Sequence, residues 1–252
     1  MRRSGVIFDD YSLSGLAARN NAAWCHAVCA AHDLPGRMDD RLWASGVRTP
    51  TLYPDAVTLD PRTTAEEVLH AVDTRSPGGA VKDSFATLDL AGAGFEVLFE
   101  ARWIHRTALP EDGRRPASGL RWRVVRTAGE LADWEEAWSD GESAGLFRPS
   151  LLREDVVFLA GTDGGRIVAG AVANRSGDAV GLSNVFARED EYLDGAWAGS
   201  TAQVARLWPD LPIVGYEAGD DLDAAVRNGF SPVGPLRVWL HAGGVGGEDG
   251  PV

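Results

Sequence analysis

Cys25 and Cys29 stand four residues apart with His32 three further on, a spacing that would place two thiols and an imidazole on one face of a helix. Structural zinc normally takes four ligands, and its cysteines usually come as C-x-x-C pairs, so the pattern reads as buried free cysteines rather than a metal site. The other histidines, His26, His70, His105 and His241, form no cluster, and no metal is expected. Lys82 is the sole lysine of the chain, and Lys82-Asp83-Ser84 interrupts an otherwise apolar strand. A solvated sheet face is the expected setting for it, with a domain interface as the other. Two further polar pairs, Ser183-Asn184 and Tyr216-Glu217, lie in or at the end of short apolar runs of strand type.

The elements that must position these groups are legible in outline. The chain has 252 residues, 44% hydrophobic with nine Trp, enough for one large or two modest domains burying roughly three quarters of their unfolded surface. No apolar run approaches the roughly 20 residues that span a bilayer, and no secretory signal is evident, so a cytoplasmic protein without membrane partners is expected. The net charge of −13 argues against nucleic acid, whose phosphates require clustered basic residues, and favours cationic small molecules such as amines.

Periodicity predicts a helix from about Asn20 to His32, through Trp24, Ala27, Val28 and Ala31. A strand at 56–59 follows, then a helix opened by the capping box Thr64/Glu67, and strands at 80–90 and 95–105. Residues 107–119, rich in Pro and Gly, read as a linker. Beyond it come a strand at 120–125, a helix capped by Thr127/Glu130, a hairpin of 155–159 with 167–173 turning at Asp163-Gly164-Gly165, and a strand at 180–187. A helix carrying Trp197, Thr201, Val204, Ala205 and Trp208 ends before Pro209. The last ordered segment, 212–241, packs a strand, a short helix with Asp221 as N-cap and Gly229 as its left-handed terminator, and a final strand behind Phe230.

That C-terminal segment, with its short helix closing on a Gly-Phe pair, resembles the GNAT superfamily of acyl-CoA-dependent N-acyltransferases. The two halves also resemble each other. Leu88, Asp89, Gly94, Phe95, Trp103, Ile104 and His105 match Leu222, Asp223, Gly229, Phe230, Trp239, Leu240 and His241 in order, and the first copy is shorter. The expected fold is therefore α/β: tandem GNAT-like units with a mixed, mostly antiparallel sheet flanked by helices, the first unit shortened. Boundaries are expected at 1–110, a linker at 111–119, a second unit at 120–241 and a disordered tail at 242–252.

The resemblance implies acyl transfer, acetyl in the first instance, from acetyl-CoA or another acyl-CoA to a small-molecule amine. In the family the fourth and fifth strands splay apart, here 180–187 and 213–217, which nominates the main chain of Val185, Phe186 and Ala187 as the pantetheine contact. Glu217 is implied as base and Tyr216 as acid, with Ser183 and Asn184 beside the acceptor. The family's pyrophosphate loop, Q/R-x-x-G-x-G/A, falls on 188–201, with either Gly195 or Gly199 as its first glycine. The motif is incomplete. Tyr192 or Ala196 replaces the Q/R, four carboxylates (Glu189, Asp190, Glu191, Asp194) crowd the loop, and Ala225 stands where the family often has a Tyr. These departures support the alternative of a non-catalytic relative that binds a small ligand or a protein partner.

Overall fold

The structure, a computed structural model, describes residues 10–34, 36–108 and 119–242. Residues 111–118 of the expected linker and 243–252 of the expected tail lie outside the described residues. The elements are α1 (Asp10–Ala31), β1 (Arg37–Met38), β2 (Leu42–Ala44), β3 (Ala56–Thr58), α2 (Ala65–Ala71), β4 (Ala80–Asp83), β5 (Phe95–Arg106), β6 (Arg121–Val124), α3 (Ala128–Ser139), β7 (Val156–Asp163), β8 (Arg166–Ser176), β9 (Ala179–Ala187), α4 (Leu193–Leu207), β10 (Ile213–Glu217), α5 (Gly219–Arg227) and β11 (Ser231–His241).

All the described strands join one sheet in the order β1-β2-β3-β4-β11-β5-β10-β9-β8-β7-β6. Only β3–β4 and β9–β10 pair in parallel, so the sheet is mixed and mostly antiparallel, as expected. Strands from either side of residues 109–118 interleave: β11 lies between β4 and β5, and β5 between β11 and β10. The two segments matched by the internal likeness run side by side in opposite directions, Phe95 opposite His241 and His105 opposite Ser231. Each is preceded by a left-handed glycine, Gly94 (φ 82°) or Gly229 (φ 87°), which an L side chain would strain.

Helices cover both faces of the sheet, which explains why β7 and β8 read as continuous apolar runs rather than alternating ones. On one face α1 and α3 bury Trp24, Val28, Trp134 and Phe147 against Phe158, Val172 and Trp103. On the other, α4 and α5 bury Trp197, Val204, Ala224 and Ala225 against Leu159, Leu182 and Phe230. A third cluster of Val68, Val81, Leu88, Leu90, Phe95 and Trp239 packs α2 against the N-terminal strands.

Three expectations change. Helix α1 starts at Asp10, about ten residues before the predicted start, because it is enclosed on several sides. Ala17, Ala18 and Ala22 are fully buried small residues, and Ser14 donates to the Val233 carbonyl at 2.9 Å, so no narrow apolar stripe marks this half. The strand predicted over 80–90 stops at Asp83, whose buried carboxylate accepts from the amides of Leu88 (2.9 Å), Thr87 (3.2 Å) and Phe85 (3.4 Å) and curls the chain into a turn. Helix α5 begins at Gly219, with Ala218 as N-cap, which places Asp221 within its first turn rather than before it. Both predicted capping boxes form, Thr64 with Glu67 and Thr127 with Glu130.

Candidate active site

Strands β9 and β10 pair at only two positions, Ile213 with Val180 and Val214 with Gly181. Beyond these β9 continues to Ala187 on β8, and β10 continues to Glu217 on β5, so the two separate toward their C-terminal ends. Gly215 sits at the parting point. A Cβ there would lie 2.6 Å from the Leu182 carbonyl oxygen, so only glycine permits this close backbone approach.

A bulge in β9 shapes the opening further. Asn184 takes φ 50°, and two residues, Asn184 and Val185, stand opposite the single residue 171 of β8. The extra residue resets the alternation of side chains. Val185 therefore packs on the α4–α5 side and Phe186 on the α1–α3 side.

Two cavities meet at this opening. The first, about 270 Å³, is lined by Ser183, Asn184, Val185, Tyr216 and Glu217 together with Asn21, Trp24, Cys25, Tyr53, Lys82 and Trp138. The second, about 560 Å³, is lined by Val185, Phe186, Ala187, Asp190, Leu193, Asp220, Asp221, Asp223 and Arg227. Val185 borders both.

Glu217 is half-buried at the mouth of the gap. Its burial among protein atoms, reinforced by the neighbouring Asp221, pushes its carboxyl well above the usual range. Burial also raises Asp221 itself. Successive strand residues point to opposite faces, so Tyr216 turns toward the α1 side, where its ring meets Trp103 edge-on at 5.6 Å. Over that ring, 4.3 Å from its centre, stands the ammonium of Lys82. Lys82 donates to Asn21 Oδ1 at 2.8 Å and is only 5% exposed.

This corrects the expectation of a solvated Lys82. Its sheet face is covered by α1 of the same chain, and the carboxylate of Asp83 is occupied by backbone amides. Two residues that line the first cavity, Ser183 and Tyr53, have hydroxyls buried without a hydrogen-bond partner among the described residues. Cys25 and Cys29 are free and buried; burial raises the Cys25 thiol against a downward pull from Lys82, and pushes Cys29 up to about 12. Both thiols are protonated at neutral pH and are poor nucleophiles.

The predicted pyrophosphate loop is built differently. Gly199 lies in the interior of α4 and is buried, its missing side chain filled by the Trp122 indole, so it is a packing glycine and not a phosphate contact. Gly195 stays in the first turn of α4, where amides lack intrahelical partners, but it is not among the residues lining the second cavity. Of the four carboxylates, Glu189 pairs with Arg166 at 3.0 Å and Asp194 with Arg227 at 2.9 Å, while Asp190 faces the second cavity.

The residues that sequence reasoning missed, Asn21, Trp24, Tyr53 and Trp138, come from α1, the 52–54 turn and α3. Lys82, as a lone lysine interrupting an apolar strand, was the one available signal for this wall.

A mixed sheet covered on both faces, in which two parallel strands part beside cavities that share Val185, is the architecture of the GCN5-related N-acetyltransferase (GNAT) fold. The chain is similar over 91% of its length to a GCN5-related N-acetyltransferase from Kribbella flavida, covering 96% of that protein with a TM-score of 0.62 at 16% identity. It also resembles a functionally unknown conserved protein from Staphylococcus epidermidis (TM-score 0.54, 12% identity, 67% of this chain and 73% of that one). A Novosphingobium aromaticivorans protein assigned to the GNAT family gives a TM-score of 0.50 at 10% identity, over 88% of this chain and 97% of the other. No protein-family model matches the sequence, and no curated protein does. At these identities the likeness is one of fold.

Proposed function

We propose that the protein transfers an acyl group, acetyl in the first instance, from an acyl-CoA thioester to the amine of a small molecule. The observation that carries this reading is the parting of β9 and β10 after Val214, with a cavity on each side meeting at Val185. The edge of β9 released from β10 leaves the main-chain groups of Val185 and Ala187, which alternate away from β8, free to bond the amides of a pantetheine arm, whereas those of Phe186 face Gly170 of β8. The unpartnered Ser183 Oγ is a further donor or acceptor at the same place.

The phosphate end of such a donor fits less well. Asp190, Asp220, Asp221 and Asp223 line the second cavity with Arg227 as the only cation among its described lining residues, and like charges repel. No step is assigned to the phosphates.

A bound thioester supplies an electrophilic carbonyl, and the chain supplies the proton handling. The raised carboxyl of Glu217, once ionised, is a stronger base than an ordinary carboxylate and accepts a proton from the ammonium form of the acceptor. As the amine nitrogen bonds to the thioester carbonyl carbon and the C–S bond breaks, Tyr216 gives its phenolic proton to the departing thiolate and takes up the second nitrogen proton, while Ser183 and Asn184 orient the acceptor.

The acidic lining of the second cavity favours one other reading, a GNAT-fold protein that binds a ligand without catalysis. Titration with acetyl-CoA separates them. At one hundred times its dissociation constant a ligand stabilises the native state by about 2.7 kcal/mol. A thermal shift together with acetyl transfer to an amine panel, lost in Glu217→Gln, supports the enzyme. No shift and no transfer supports the binder.

A further inference from the structure

Resting on the transferase reading for its amine, we infer that the first cavity recognises the acceptor through an anionic group, and that its substrates are small amino-carboxylates of the amino-acid type rather than simple amines. Lys82 is a buried ammonium that is paired with no anion among the described residues. It forms no ion pair among the described residues; its protein partners are the neutral Asn21 oxygen and the face of Tyr216. Of the buried carboxylates on neighbouring elements, Asp83 is committed to backbone amides and Asp55 to Arg48 and Thr49, and the Glu217 carboxyl, which borders the same cavity, is pushed toward its neutral form by burial.

An ammonium has three donors, and a buried charge without a counter-ion is costly unless a ligand supplies one. Ser183 lines the same cavity, and its hydroxyl, buried without a partner among the described residues, can be offered to such a group by a change of rotamer. One cation suits a monoanion such as a carboxylate better than a dianionic phosphate. The cavity's 270 Å³ is below the usual range for drug-sized ligands and suits a molecule of amino-acid size. Glu217 borders the same cavity, so one molecule can present its carboxylate to Lys82 and its amine toward the opening.

Because Lys82 is the sole lysine, protein labelled with ¹⁵N-lysine gives a single side-chain signal, a probe of the cavity that does not depend on activity. We would titrate it with each of the twenty L-amino acids and with the matching carboxamide, which keeps the amine and removes the charge of the carboxylate. The expected result is a saturable movement of the Lys82 signal with at least one amino acid and none with its carboxamide. In Lys82→Met the affinity for that amino acid, read by calorimetry, falls at least about tenfold, while Lys82→Arg retains most of it.

A signal unmoved by every amino acid, or moved equally by acids and carboxamides, overturns the inference, and the wild-type titration decides this even if Lys82→Met fails to fold. Acetyl-CoA-dependent transfer is assayed on the same panel. Transfer that is indifferent to the carboxylate sinks the inference and leaves the transferase reading standing. A Lys82 signal that separates acid from carboxamide without any transfer sinks the transferase reading and leaves the anion-binding cavity standing.

Discussion

Replacing Glu217 by Gln should abolish transfer and, at neutral pH, stabilise the fold. The folded carboxyl is raised well above its unfolded value, near 4.5, by burial first and by Asp221 second. Below pH 4.5 it is protonated in both states and its contribution to stability is fully present. As pH rises toward the folded pKa the unfolded chain has released the proton while the native state retains it, so stability falls with a limiting slope of about 1.4 kcal/mol per pH unit. Partial opening of the side chain to the cleft lowers the realised slope through solvent screening.

Gln has no proton to lose and removes this contribution. Urea unfolding of wild type and Glu217→Gln in steps between pH 4.5 and 8 isolates it, because most other carboxylates cancel in the difference. The difference should widen in favour of the variant as pH rises and then level off above the folded pKa. Over the same window wild-type kcat/KM should increase with pH as the base ionises. Parallel stability curves for the two proteins would refute the assignment of a raised carboxyl, and with it the argument for Glu217 as base.

Other outcomes follow from the packing and charge around the gap. Glu135 is buried and accepts from Ser143 Oγ and the Leu146 amide, both at 2.8 Å, and from the Phe147 amide at 3.3 Å; Glu135→Gln turns an amide donor toward one of these donors and should cost about 2–4 kcal/mol in urea unfolding. A loss below about 0.5 kcal/mol would show that the 143–147 loop behind Trp24 and Trp138 is held by other means. Gly215→Ala places a methyl group against the Leu182 carbonyl and should cost about 1–3 kcal/mol, with unchanged stability showing that the strands do not part under this constraint. Asp190→Asn removes one carboxylate from the second cavity and should tighten acetyl-CoA binding by about two- to fivefold at low salt, an effect that added salt erases; unchanged affinity would place the phosphates elsewhere.

What the sequence determined alone was whatever a few neighbouring residues can enforce. Thr64 with Glu67 and Thr127 with Glu130 satisfy the first amides of their own helices, so α2 and α3 begin where the residues say. Gly164 and Gly165 take positive φ and turn the β7–β8 hairpin at the predicted place, and Gly229 ends α5 as predicted. The Gly-Phe signature also pointed to the right fold, in which β9 and β10 part beside Ser183, Val185 and Glu217.

Only the tertiary structure decided the rest, because burial and charge balance depend on residues far apart in the chain. Lys82 reads as a surface residue until α1 covers it and Tyr216, 134 positions later, supplies the ring beneath it. Gly199 reads as a loop glycine until Trp122 fills its place. The Asn184 bulge, invisible to an alternation rule that allows one residue per step, fixes which side of the gap Val185 and Phe186 face. Even the wall of the cavity depends on β11 entering between β4 and β5, a pairing between strands more than 120 residues apart that no local pattern records.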